Sequence, residues 1–167
     1  HSEIKELYTS ESVGRAISHF GIESLDKEIG ALRAGDVVSV QGQPGAGKTR
    51  FSANIIYNAI MRGHNVLWYP LEGSALQAFS LILARHILSQ YDEIPDLNDK
   101  NLYDQSYDPK FSGIVESSLQ DLLYNPKYGK LNIKNIALYE DELFDDTTIE
   151  LECGFEFGLL SIDYVSL

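Results

Sequence analysis

Apolar residues along the chain follow two periods. Residues 36–41 and 65–70 are short apolar runs, rich in β-branched or aromatic side chains, and have the length of buried strands. Between them the apolar residues recur at helical spacing, and Gly63 stands where such a helix would end. The inward positions of that helix are Phe51, Ile55, Ile56, Ala59 and Ile60. Strand, helix and strand in this order predict a βαβ unit with two parallel strands.

The rest of the chain continues both patterns. Residues 75–90 and 114–124 have amphipathic helical spacing, and Ser74 is the predicted N-cap of the first of these helices. The tract 91–111 between them is acidic and polar and contains two prolines, so we predict a long loop or a part-helical insertion there.

Two more apolar runs, 136–139 and 158–163, have strand length, and residues 147–153 are predicted as a brief helix. We therefore predict an α/β fold in which helices flank a mostly parallel sheet. A chain of 167 residues makes one ordinary domain. We assign its core to residues 20–167 and a lead-in to residues 1–19, which start with a His-Ser pair typical of an expression-tag remnant.

The segment between the first predicted strand and the first long helix fits the phosphate-binding pattern G-x-x-x-x-G-K-[ST] at every fixed position. It consists of Gly42, Gln43, Pro44, Gly45, Ala46, Gly47, Lys48 and Thr49. Glycines let successive backbone N–H groups point into one concavity, and the helix adds its positive N-terminal end. We predict that this P-loop binds a nucleoside triphosphate, with Lys48 on the β- and γ-phosphates, Thr49 on Mg²⁺ and Arg50 beside the same ligand. The alternative, a chance match in a glycine-containing turn, is disfavoured by the strand and helix on either side.

Two carboxylates follow predicted strands. Asp163 ends the last apolar run, as a Walker B aspartate does, and would hold Mg²⁺ through water; the alternative is an aspartate that caps the next loop. Glu72 lies just beyond residues 65–70, where a carboxylate can polarise an attacking water. The alternative role for Glu72 is a favourable charge at a helix N-terminus, and residue chemistry alone does not separate the two.

Charge is distributed unevenly along the chain, whose net charge is −12. Residues 91–167 carry 17 acidic and 5 basic side chains, whereas the charges of residues 1–90 balance. The acidic half favours a solvated face, with a docking surface for a basic partner as the alternative, and disfavours nucleic-acid contact there. Cys153 is the only cysteine, which excludes an intrachain disulfide and predicts a cytoplasmic location. No apolar run has the length of a membrane span, so we predict no membrane association.

The chain resembles the RecA-like P-loop ATPases, most closely the ATPase domains of DnaB-type replicative helicases and the KaiC/RadA-like proteins. The resemblance rests on residues 21–26, 30–36, 63–72 and 159–167 together with the P-loop. It implies a RecA-like fold, ATP and Mg²⁺ as cofactors, and hydrolysis with Glu72 as the catalytic glutamate. It also implies a homo-oligomeric ring, hexameric in the helicases, and single-stranded nucleic acid as a partner of the complete protein.

The chain departs from the helicase pattern at three places. Leu81 stands where helicases often carry an arginine near the base, and Ser166 stands where they usually carry a glutamine that senses the γ-phosphate. The chain ends at Leu167, whereas the family's sheet continues through DNA-binding loops and the arginine finger. We therefore expect a core truncated after the Walker B strand, with weak hydrolysis by itself. The functions to separate are a DnaB-like motor, a KaiC-like regulatory ATPase and a nucleotide-binding module without turnover.

Overall fold

Three parallel strands form the central sheet in the part of the chain that the structure, a computed structural model, describes: residues 16–91, 94, 96–135 and 140–163. The strand order is β4 (Leu131–Ile133), β3 (Val66–Pro70) and β5 (Leu159–Asp163). All five residues of β3 are buried, which is the environment that a continuous apolar strand needs. The strand predicted at 65–70 and the one predicted at 158–163 are therefore confirmed.

The register of the sheet places the ends of β3 and β5 side by side. Val66 lies beside Leu159 at the start of the pair, and Pro70 lies beside Asp163 at its end. On the other side of β3, Trp68 lies beside Ile133 of β4. Because all three strands are parallel, their carboxyl ends meet at one edge of the sheet, the edge at which α/β proteins bind ligands.

Two long helices cover one face of the sheet. Helix α2 (Lys48–Met61) and helix α3 (Ala75–Gln90) bury their apolar stripes against Trp68, which is fully buried. Their predicted spacing is confirmed, and Ser74 caps α3 as predicted by accepting a hydrogen bond from the Gln77 N–H. Leu76, at the start of α3, is an exception to the apolar stripe because 53% of it is exposed.

A third helix, α5 (Ser112–Tyr124), packs against α3 and confirms the helix predicted at 114–124. The predicted insertion at 91–111 contains, in its described part, the short helix α4 (Asp99–Tyr103) and a 3₁₀ turn at Pro109–Phe111. Leu102 of α4 is buried in the main core, which ties this acidic tract to the domain.

The opposite face of the sheet carries helix α6 (Glu140–Glu152). Tyr69 points to this face because neighbouring residues of a strand point to opposite faces and Trp68 points to the other one. The Tyr69 phenol donates a hydrogen bond to Asp146 Oδ2 of α6 at 2.8 Å. Lys134 Nζ reaches Asp146 at 3.2 Å and Glu150 at 2.5 Å, so this cation joins the end of β4 to α6. The brief helix predicted at 147–153 is the second half of α6. The helix starts earlier than predicted, at Glu140, and includes the acidic residues that precede Thr147.

A small antiparallel pair lies beside the central sheet. Strand β1 (Ala16–Ser18) pairs with β2 (Leu32–Arg33), and helix α1 (Glu23–Ile29) connects them. Ser18 is buried and its hydroxyl donates to the Ile55 carbonyl at 2.7 Å, which attaches the pair to α2. The part of the lead-in before residue 16 lies outside the described residues.

The strand predicted at residues 36–41 is wrong: no strand forms there, and Val37 is 95% exposed. The turn before this segment is held by Asp36, whose carboxylate accepts a hydrogen bond from the Arg33 N–H at 2.8 Å. The segment then runs along a groove beside β5 without joining its ladder. β propensity describes side chains that fit a paired surface, so a β-branched sequence without a ladder partner does not become a strand.

The strand predicted at 136–139 lies outside the described residues, and β4 lies just before it in the chain. No helix among the described residues is both long enough and apolar enough to cross a membrane.

Candidate functional site

The predicted P-loop segment is an exposed turn that leads directly into α2. Gly45 and Gly47 have φ angles of 77° and 91°, the left-handed region that glycine adopts without strain. Nothing described lies within 4 Å of a Cβ built on either glycine, so the space in front of the loop is clear. Gly47 is the N-cap residue of α2 and Lys48 is its first residue, which places the positive end of the helix at this loop.

The ammonium group of Lys48 lies against the carbonyls of its own loop. Its Nζ is 3.1 Å from the Gly42 oxygen and 3.3 Å from the Gln43 oxygen. The Ala46 N–H donates to the same Gln43 carbonyl at 3.1 Å and closes the turn. The cation, the loop and the helix N-terminus therefore share one small region, which is the combination that binds phosphate groups.

Asp163 and Lys48 line the same groove. This groove has a volume of about 810 Å³ and runs between β5 and the extended segment that leads to Gly42. Asp163 is only 5% exposed, and its Oδ2 has no hydrogen-bond partner among the described residues. A buried carboxylate oxygen without a partner is costly, so this oxygen fits a cation or its bound water.

Thr49 and Arg50 follow Lys48 in the first turn of α2 but do not line this groove. Thr49 is half-buried. The Arg50 guanidinium is exposed and donates to Asp99 Oδ2 of α4 at 2.8 Å, and both residues line a second cavity of about 370 Å³. The structure thus places Arg50 toward the insertion rather than toward the groove of Asp163.

Glu72 lies outside the groove and is exposed. It stands two residues after Pro70, and the N–H of the intervening Leu71 donates to the Asp163 carbonyl at 3.1 Å. The backbone that carries Glu72 is therefore attached to the residue that would hold Mg²⁺. The carboxylate itself is available to water at the carboxyl edge of the sheet.

Two hydrogen-bonding arrangements beside this site were not predicted from the sequence. Asn135 donates through Nδ2 to the Gly73 carbonyl at 2.6 Å, next to Glu72. Gln77 and Ser74 form a capping box, in which Gln77 Oε1 accepts from the Ser74 N–H at 2.9 Å. The Ser-x-x-Gln spacing could have predicted the box, whereas the contact of Asn135 depends on the strand order and had no sequence signal.

The residues brought together fit a nucleoside triphosphate with Mg²⁺. Lys48, the loop N–H groups and the helix N-terminus suit phosphate oxygens, and the unpartnered oxygen of Asp163 suits the hydrated cation. Bound Mg²⁺ would neutralise charge on the phosphates, and Thr49 is the hydroxyl nearest in sequence to Lys48 that could hold it.

Comparison with known proteins assigns the family. No curated protein matches the chain. Residues 18–167 match the family described as the DnaB-like helicase C terminal domain, so the match runs from the last residue of β1 through β5 and includes every residue of the candidate site. The chain therefore belongs to the DnaB-like helicase C-terminal domain family.

Proposed function

We propose that this chain is the ATP-binding and ATP-hydrolysing core of a DnaB-like motor that acts on nucleic acid. The observation that carries the proposal is the shared groove of Lys48 and Asp163, in which a buried carboxylate oxygen has no partner among the described residues. A cation-binding carboxylate beside a phosphate-binding lysine is the arrangement that a Mg²⁺-nucleotide site requires. The family to which the chain belongs supports a helicase-type function.

Each candidate residue has one role in this proposal. The N–H groups of residues 42–47 and the Lys48 ammonium bind and orient the phosphates, while Thr49 and Asp163 hold Mg²⁺. Glu72 accepts a proton from the attacking water, for which its exposed carboxylate is accessible. Assembly into a ring would let a neighbouring subunit add a second positive charge at the γ-phosphate, beside that of Lys48.

The test is steady-state ATP hydrolysis by the full-length protein and its Glu72→Gln variant. We expect the variant to keep ATP binding and to lose hydrolysis by at least about 100-fold, because general-base groups contribute factors of this size. Glu116→Gln is the matched control, since Glu116 is an exposed glutamate on α5 far along the chain from the site. Hydrolysis by Glu72→Gln at the rate of the unmodified protein would exclude Glu72 as the base.

A KaiC-like regulatory ATPase is the second candidate, and the charge of the chain favours it. Helix α6 exposes the carboxylates of Glu142, Asp145 and Glu152 and contains no basic residue, so its surface suits a basic protein partner better than nucleic acid. Addition of single-stranded DNA separates the candidates. We expect it to raise the ATPase rate of the full-length motor, and an unchanged rate would favour the regulatory function. Binding of ATP without hydrolysis, unaffected by Glu72→Gln, would favour a module without turnover.

A further inference from the structure

Glu72 lies in a short connection that is held by hydrogen bonds one residue before it and one residue after it. The connection runs from Leu71 to Ser74, between the buried strand β3 and helix α3. Before Glu72, the Leu71 N–H donates to the Asp163 carbonyl at 3.1 Å. After Glu72, the peptide group that joins Gly73 to Ser74 is held at both of its ends.

Two side chains hold that second peptide group. Its N–H, which belongs to Ser74, donates to Gln77 Oε1 at 2.9 Å within the capping box. Its carbonyl, which belongs to Gly73, accepts from Asn135 Nδ2 at 2.6 Å. Gly73 has a φ of 85°, and a Cβ built on it would lie 2.6 Å from Gln77 Oε1. Glycine permits this backbone conformation at Gly73, and the hydrogen bonds from Asn135 and to Gln77 stabilise it.

The sheet brings Asn135 to this point across a long stretch of sequence. Trp68 lies beside Ile133, and the Lys134 N–H donates to the Trp68 carbonyl at 2.9 Å. Continuing this parallel register by two residues puts Asn135 beside Pro70. Pro70 therefore has Asp163 on one side and Asn135 on the other.

The residue that precedes Asn135 is also held in place. The side chain of Lys134, the preceding residue, pairs with Asp146 and Glu150 of α6 and is only 25% exposed. The Asn135 amide itself lies at the surface, where a single hydrogen bond contributes little to folding because water competes for both partners. Because Asn135 lies close to Glu72, we expect its hydrogen bond to affect the position of that carboxylate more than the stability of the fold.

We propose that Asn135 is a positioning residue for Glu72, acting through the Gly73 carbonyl; this inference rests on the proposed role of Glu72 as the base. Asn135 and Gln77 together hold the Gly73–Ser74 peptide group, one residue after Glu72, and the Asp163 carbonyl holds the Pro70–Leu71 peptide group, one residue before it. These contacts restrict the backbone on both sides of Glu72 and thereby limit where its carboxylate can lie relative to Asp163. Misplacement of a reacting group by about 1 Å can cost about 100-fold in rate, so loss of one of these contacts affects catalysis more than stability.

The test uses ATP hydrolysis by the full-length protein with Asn135→Ala and Asn135→Gln. We expect Asn135→Ala to lower kcat about 10-fold and to leave KM for ATP within about twofold, because positioning affects the chemical step rather than binding. Asn135→Gln keeps an amide donor on a longer side chain, and we expect it to recover part of the lost kcat. In the Glu72→Gln background, Asn135→Ala should cause no further loss, because both changes act through one carboxylate.

Asn132→Ala is the matched control. Asn132 lies on β4, three residues before Asn135, and its Nδ2 donates to Glu150 Oε2 at 2.7 Å on the face that carries α6. We expect this change to lower the melting temperature and to leave kcat unchanged. Equal kcat losses for Asn132→Ala and Asn135→Ala, a loss confined to KM, or an unchanged kcat for Asn135→Ala would each overturn the proposal. Full hydrolysis by Glu72→Gln would instead overturn the proposed base, so the two failures are distinguishable.

Discussion

His86 of α3 and Asp121 of α5 form a hydrogen bond of 3.0 Å, with the imidazole N–H at Nε2 donating to Oδ2. The other ring nitrogen, Nδ1, lies 3.1 Å from the phenol oxygen of Tyr57 on α2. His86 is 1% exposed, so this buried ring joins three helices by polar contacts inside an otherwise apolar core. Buried polar groups of this kind are stable only while each keeps its partner.

Removal of the Asp121 carboxylate should destabilise the domain. Asp121→Ala leaves the buried Nε2–H of His86 without its acceptor, and it also removes the acceptor of Asn125 and Tyr128. We expect the free energy of unfolding to fall by about 2–4 kcal/mol, since a buried unsatisfied donor costs about 1–3 kcal/mol and other bonds are lost with it. Urea denaturation followed by the fluorescence of Trp68, the single tryptophan, measures this change.

Glu116→Ala provides the comparison, because Glu116 is an exposed carboxylate on the same helix whose contact is a side-chain bond to Gln120. Surface changes of this kind stay within about 0.5 kcal/mol. If both variants lost the same free energy of unfolding, the buried hydrogen bonds of Asp121 would contribute no more to stability than an exposed carboxylate does.

Acid should weaken the same network before it affects the carboxylates. Burial lowers the pKa of His86 below its ordinary value of 6.5, although the hydrogen bond to Asp121 opposes this effect. The unfolded chain therefore binds this proton more readily than the folded one. The stability contributed by neutral His86 is complete above pH 6.5 and falls as the pH drops below it, with a limiting slope of about 1.4 kcal/mol per pH unit.

Below pH 3.8 a second loss should begin. Hydrogen bonds from Asn125, Tyr128 and His86 lower the pKa of Asp121 below its ordinary value of 3.8, so protonation of this carboxylate favours the unfolded chain.

Denaturation curves recorded from pH 7 to pH 5 test the contribution of His86 to the free energy of unfolding. We expect His86→Gln to be less stable than the unmodified protein at pH 7 but to show a shallower loss toward pH 5, and equal slopes would refute the assignment.

Asp163 is expected to limit the stability of the nucleotide-free protein. Its buried Oδ2 lacks a partner among the described residues, and an amide in the same place carries no charge to desolvate. We expect Asp163→Asn to raise the free energy of unfolding by about 1 kcal/mol without nucleotide. The same change should abolish the increase in melting temperature that we expect Mg²⁺-ATP to cause in the unmodified protein.

Asp145→Asn on α6 serves as the control, since Asp145 is exposed and lies on the face away from the sheet contacts. It should change neither the stability nor the response to Mg²⁺-ATP. A destabilised Asp163→Asn variant that still responds to Mg²⁺-ATP would contradict the prediction on both counts.

Two glycines should respond in opposite ways to substitution by alanine. At Gly73 the positive φ and the close approach of Gln77 Oε1 make a Cβ unfavourable, so we expect Gly73→Ala to cost about 1–3 kcal/mol and to reduce kcat. At Gly113, the second residue of α5, nothing described lies within 4 Å of a Cβ, and Gly113→Ala should add about 0.4–1 kcal/mol. Thermal unfolding of both variants measures the difference, and a tolerated Gly73→Ala would mean that this connection is not conformationally restricted.

The sequence was sufficient to predict the helices and strands whose local apolar pattern agrees with their packing in the fold. Helices α2 and α3 and strands β3 and β5 were predicted because one apolar face, or a continuous apolar run, fixes both the element and its burial. Residues 36–41 also contain a short β-branched run but have no ladder partner, so the prediction of a strand there was wrong. Strand β4 escaped prediction because three residues with a polar centre carry little signal, and its pairing depends on β3, which lies more than 60 residues earlier.

The sequence suggested residues for the candidate site but not their arrangement. Glycine spacing predicted the P-loop, and the apolar runs before Glu72 and Asp163 predicted these two carboxylates. Sequence could not indicate that Arg50 pairs with Asp99, that Glu72 lies outside the groove, or that Asn135 holds the neighbouring carbonyl. Each of these contacts joins residues that the sheet and helices bring together only after folding.

The pairing of β3 with β5 has a consequence for the folding kinetics. Helix α2, strand β3 and helix α3 are consecutive and can associate through local contacts, whereas Val66 pairs with Leu159 only after a long loop has closed. Parallel pairing between distant segments forms slowly for this reason. We therefore expect the helical signal to return early in refolding and the capacity to bind ATP to return late, when β5 reaches its place and brings Asp163 beside Pro70.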